Sequence, residues 1–194
     1  MSDSKRLQQD LDYISATVRR REQPVGIPAL YLFWAVAMFV GFASTDFAPQ
    51  TTSLYWLVVG MGGGLFSWWM GERDDRKRGI RDLEQGKRYG LHWIVGGIAY
   101  FLTALPMFVH GFSEDAAARF LLTTGIVYGL AGVHLERPLL WCGLLAFAGY
   151  VALVAWRLPY AWTLTGALIA ACLLLAAVFA ARARAGEDAA GAAQ

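Results

Sequence analysis

The sequence predicts an all-α membrane protein, with six transmembrane helices arranged as three successive hairpins behind a short N-terminal cytoplasmic amphipathic helix. Three observations carry this prediction. Of 194 residues, 57% are of hydrophobic types and only 16% are charged, a balance that a water-soluble domain of this size has too little interior to hide. The apolar residues collect into six runs near the 20 residues that a helix needs to cross about 30 Å of hydrocarbon. The lysines and arginines fall almost wholly on alternate connections. Period-two alternation is missing from the runs, and amides in lipid must bond within their own segment, so the runs read as helices.

Before the first run, residues 1–25 carry nine charges and no apolar core, which excludes a cleavable signal peptide and leaves the first span to direct insertion. Leu7, Leu11, Ile14 and Val18 are spaced four, three and four apart, an apolar stripe along one side of a helix. Asp3 or Ser4 caps its start, arginines 19 to 21 suit its C-terminal end, and Pro24 stops it. Headgroups, the protein's own cytoplasmic face, a second copy or another protein would each cover the stripe.

The spans follow as Gly26 to Thr45, Ser53 to Gly71, Leu91 to Val109, Ala116 to His134, Pro138 to Trp156 and Tyr160 to Ala181. Pro28, Pro138 and Pro159 stand at helix starts, where a missing amide donor is harmless. Pro106 alone is internal, and it predicts a bend near the outer end of the third span with Thr103 near the freed carbonyl of Leu102. Outer turns fall near Pro49, Ser113 and Leu158. Trp56, Leu121 and Trp162 each precede a glycine by four residues. Tandem hairpin repeats explain this echo, and so does the ordinary use of interfacial aromatics and membrane glycines, which is the preferred reading. The organisation is therefore residues 1–25 as cytoplasmic helix and linker, 26–181 as the six-helix domain with a basic cytoplasmic loop at 72–90, and 182–194 as a disordered cytoplasmic tail.

Fifteen of the seventeen basic residues lie on the side of the N-terminus, leaving Arg119 and Arg157 opposite. By the positive-inside bias both termini are cytoplasmic, in the inner (plasma) membrane of a bacterium. The net charge of +2 hides this because twelve of the fifteen acids share that side, and the same balance gives no reason to expect nucleic acid. Arg76, Lys77 and Arg78 form a cluster that anionic headgroups would favour by about 1 kcal/mol per basic residue. Positive-inside topology accounts for them equally well.

Among groups that carry chemistry, Gly60, Gly62, Gly63 and Gly64 resemble a phosphate loop, but no Lys-Ser or Lys-Thr pair follows and the stretch lies mid-membrane. Gly60 with Gly64, and Gly125 with Gly129, instead mark seams where helix backbones approach closely, within one subunit or between subunits. The hairpin turning near Ser113 brings His92 and His134 to one depth with Glu136 just beyond, so a metal or haem iron has candidate ligands there. Interfacial histidines with one wet edge explain the same residues, and no cofactor is expected. Cys142 and Cys172 share a depth and read as small hydrophobes. No ionisable side chain lies near the midplane, and no G-x-S-x-G, HExxH or CxxC occurs. The expectation is a non-enzymatic protein acting by association, as a scaffold, a regulatory subunit or a membrane sensor. It would contact the bilayer and either a second copy or a membrane partner through Leu7, Leu11, Ile14, Val18, Arg76, Lys77 and Arg78. The alternative is a small oligomeric transporter or channel for a neutral or apolar solute, its path lined by Ser67, Thr123, Thr124 and the glycines.

Overall fold

The computed structural model describes residues 26–78 and 83–192. The amphipathic stripe of Leu7, Leu11, Ile14 and Val18 therefore lies outside the described residues. The described chain is helical throughout: α1 (Pro28–Phe47), α2 (Pro49–Arg78), α3 (Leu83–His110), α4 (Glu114–His134), α5 (Arg137–Val151) with a π-helical extension over Ala152–Trp156, and α6 (Ala161–Ala192). Five of the six are long and apolar enough to cross a membrane. The remaining one, α2, has the length but mixes four mid-helix glycines with a charged end.

The ends follow local chemistry. Pro28 and Pro138 sit in the first turns of α1 and α5. Ser113 caps α4 by accepting a bond from the Ala116 amide at 3.2 Å. Before it, Gly111 turns the chain at φ 85°, a conformation that glycine alone adopts freely. In α3, Pro106 lies inside an unbroken helix, and the Thr103 hydroxyl donates to Ala99 O at 2.7 Å rather than to the freed carbonyl of Leu102.

Packing departs from three equal hairpins. The most extensive interfaces are α1 with α6 and α4 with α5, while the hairpin pairs α1–α2, α3–α4 and α5–α6 are secondary and α2 barely meets α3. Small residues explain the order. A Cβ added to Gly143 would lie 2.7 Å from Gly129 Cα and 2.9 Å from Gly125 O, so α4 and α5 touch backbone to backbone. At the α1–α6 contact, Gly166 lets Phe42 approach, and Ile169, Leu173, Ala176 and Ala177 continue the buried face. An aromatic cluster of Phe42, Trp56, Phe120, Trp162 and Tyr100, with successive ring centroids 5.0 to 5.9 Å apart, ties α1, α2, α3, α4 and α6 together. Because α3 stands at the margin, only 17% of its apolar window is buried, against 56% for α4.

The segment after Ala181, expected to be disordered, continues α6 to Ala192. Six alanines between positions 181 and 192 supply the strongest helix propensity, and Arg184 is fastened to α2 by an ion pair. The basic segment over 72–90, which the sequence leaves open to helix, is mostly helical, since α2 runs to Arg78 and α3 begins at Leu83.

Candidate functional site

Polar side chains concentrate at the end of the bundle that carries the basic residues. Glu136 occupies the N-cap position of α5, in the two-residue connection after α4, with an extended backbone that turns its side chain back across the bundle. One carboxylate oxygen accepts a hydrogen bond from the Tyr31 hydroxyl of α1, and the other accepts one from the Tyr89 hydroxyl of α3 at 2.6 Å. Tyr31 is buried, three residues after the proline that starts α1. A single half-buried carboxylate thus fastens the marginal α3 and the central α1 to the α4–α5 unit. Bonds to a charged acceptor are about twice as strong as neutral ones, so this clamp is a principal polar attachment of α3.

Beside it, Arg184 of α6 grips Asp74 of α2 through two parallel bonds of 2.7 and 3.0 Å, with both side chains about one-fifth exposed. At the opposite end, Asp46 accepts from the amide and hydroxyl of Thr163, at 2.8 and 2.6 Å, in the first turn of α6. A carboxylate there completes unbonded helix donors and meets the positive end of the helix dipole.

The residues singled out from sequence are distributed differently. His92 Nε2 lies 3.1 Å from Val127 O, two turns of α4 before the exposed His134, while Glu136 is held by the tyrosines. Among the described residues no group of three or more metal-ligating side chains assembles. Cys142 and Cys172 do meet, thiol to thiol, and the Cys172 sulfur also lies 3.7 Å from Pro138 O. Of the hydroxyls proposed to line a solute path, Ser67 accepts from Trp34 Nε1 at 3.0 Å. Thr123 donates to Arg119 O at 3.0 Å and Thr124 to Phe120 O at 2.9 Å. Gly125 lies against Phe147 and Gly129 against Gly143, inside the subunit. Gly60 and Gly64 face open space, whereas the glycine that admits α1 is Gly63, whose added Cβ would lie 2.9 Å from Trp34. The three glycines of the sequence echo thus have unlike surroundings: Gly60 open, Gly125 on Phe147, Gly166 on Phe42.

No protein-family model, no curated protein and no solved structure matches the chain. The site therefore rests on its geometry. Sequence reasoning missed Tyr31, Tyr89, Asp74 and Arg184 as members of the site. The one signal available was Glu136, an acid in a short connection between two apolar runs. Arg76 pairs with Glu72 at 3.3 Å one turn earlier, and Arg73 stacks over Trp69 with its guanidinium carbon 5.4 Å from the ring centroid. Arg78 closes α2.

Proposed function

We propose that the protein works by association within a bacterial inner membrane, as a scaffold, regulatory subunit or sensor, with its basic end cytoplasmic and without catalysis of its own. The observation that supports this reading is the unequal use of helix surface. α1, α4, α5 and α6 bury their small residues against one another, while α2 presents Gly60 and Gly64 with no atom of the described residues within 4 Å of an added Cβ. Around those glycines stand Met61 and Trp68, 68% and 73% exposed. Small residues four apart beside large apolar ones form a surface on which another membrane helix seats closely. The contacts of α2 and α3 with the core are less extensive than those among the other helices, which suits elements that must adjust to a partner.

A photocrosslinking residue placed at Met61 tests the proposal in intact membranes. The expected result is a discrete adduct with a second membrane polypeptide, lost in Gly60→Leu/Gly64→Leu, with no such adduct from the equally exposed Leu175 of α6. Equal labelling from both positions, or none from Met61, would refute it.

A further inference from the structure

A different face of α2 continues into the charged end of the helix. Nine residues at 3.6 per turn separate Gly60 from Trp69 by half a revolution, so the Trp69 side is opposite the glycine face. On it stand Val58 and Leu65, 61% and 66% exposed, then Trp69 at 52%, and then Arg73 and Lys77 one and two turns further on. Between Val58 and Leu65 lies Gly62, with nothing within 4 Å. Eleven residues from Val58 to Trp69 rise about 16 Å, the thickness of one leaflet's hydrocarbon. With Val58 at the midplane, Trp69 reaches glycerol depth, where indoles collect, Arg73 follows about 6 Å further out near the phosphates, and Lys77 stands about one turn beyond it, within reach of the same phosphate by its long side chain.

The cations are available to an anion. Arg76 is engaged by Glu72, and Asp74 by Arg184. Among the described residues neither Arg73 nor Lys77 has a carboxylate partner. Two shallow hollows of about 270 Å³ border Arg73 and Lys77, one also lined by Asp74, which Arg184 engages, and the other by Glu72, which Arg76 engages. The indole beneath Arg73 holds its guanidinium up at this level rather than leaving it to sweep through solvent.

We infer that this face of α2 is a binding site for one anionic glycerophospholipid, its phosphate held between Arg73 and Lys77, its glycerol against Trp69 and an acyl chain along Leu65, Gly62 and Val58. The apolar track distinguishes a lipid from a free phosphate ion, which would leave everything beyond Trp69 unused. This inference stands apart from the partner surface, because Gly60 and Gly64 point the other way.

Native mass spectrometry of the full chain in mild detergent, given equal amounts of phosphatidylglycerol and phosphatidylcholine, provides the test. The wild type is expected to retain phosphatidylglycerol preferentially. Arg73→Gln/Lys77→Gln should weaken that retention about thirty-fold, at roughly fivefold per basic residue. Lys87→Gln/Arg88→Gln removes the same charge from exposed positions on α3 and should change it less than about threefold. Lys77→Gln alone gives the fivefold arm if the double variant does not fold, and Arg73→Lys/Lys77→Arg should bind as wild type. Equal loss in the two double variants, no loss in the first, or displacement of the lipid by millimolar inorganic phosphate would overturn the inference.

Discussion

Removing the acceptor of the tyrosine clamp should destabilise the whole bundle and, more tellingly, make Tyr89 indifferent. In the wild type Glu136 accepts from both Tyr31 and Tyr89. Hydrogen bonds to a charged group contribute about 1.5–3 kcal/mol each, and the half-buried position of Glu136 favours the lower end. Tyr89→Phe should therefore cost about 1.5 kcal/mol. Glu136→Ala loses both bonds, about 3 kcal/mol, and leaves the Tyr31 hydroxyl buried without its acceptor, which brings the expected cost to about 4 kcal/mol. In the Glu136→Ala background Tyr89→Phe should cost close to nothing, so the coupling energy of the cycle is about 1.5 kcal/mol. Titration with a denaturing detergent in mixed micelles, followed by tryptophan fluorescence, measures all four proteins. A coupling below about 0.4 kcal/mol, with Tyr89→Phe equally costly in both backgrounds, would show that Tyr89 acts by packing alone and that the clamp is not what fastens α3.

Four further outcomes are expected. Gly143→Ala forces a methyl group against the backbone of α4 and should destabilise by about 2–3 kcal/mol, whereas Gly60→Ala meets open space and should be neutral or stabilising by up to about 1 kcal/mol, both read from the same titration. Asp46→Ala should cost about 1–2 kcal/mol by uncapping α6, and Asp46→Asn should recover most of it. Asp74→Asn should increase the separation between the ends of α2 and α6, measured by paired spin labels on exposed positions, and the exchanged pair Asp74→Arg/Arg184→Asp should restore it. Alkaline phosphatase fused after Gln50 should be active and after Ala192 inactive; the reverse would invert the proposed orientation.

The helices were legible because each is written locally. A run of apolar residues near membrane length, a proline at its start and a serine cap before α4 all act within a turn or two of themselves. Glycines four apart marked possible seams, and the spacing alone did not separate Gly125 and Gly129, which meet α5, from Gly60 and Gly64, which meet no described residue. Gly143, the partner of Gly125 and Gly129, was not legible. Helix order around the bundle depends on which seams fit which, and apolarity alone treats all neighbours in lipid as equal. Hence the three successive hairpins were legible, while the larger contacts of α1 with α6 and α4 with α5 were not. The clamp escaped notice for that reason: Tyr31 and Glu136 are 105 residues apart, Asp46 and Thr163 117, and Asp74 and Arg184 110. Continuation of α6 past Ala181 was a different miss. The segment was judged by its small polar character, while its alanines favoured helix and Arg184 had an acid waiting on α2.

The pairing of α1 with α6 also sets a timetable. The first described span to leave the ribosome finds its largest partner in the last, and at 5–20 residues per second the wait is roughly ten to thirty seconds. Tyr31 waits only until Glu136 is made, ahead of the last helix, but Asp46 has no Thr163 to cap until α6 itself emerges. A nascent chain halted before Ala161 contains the tyrosine clamp but neither the largest partner of α1 nor the Thr163 donors of Asp46, and only translation through α6 supplies them.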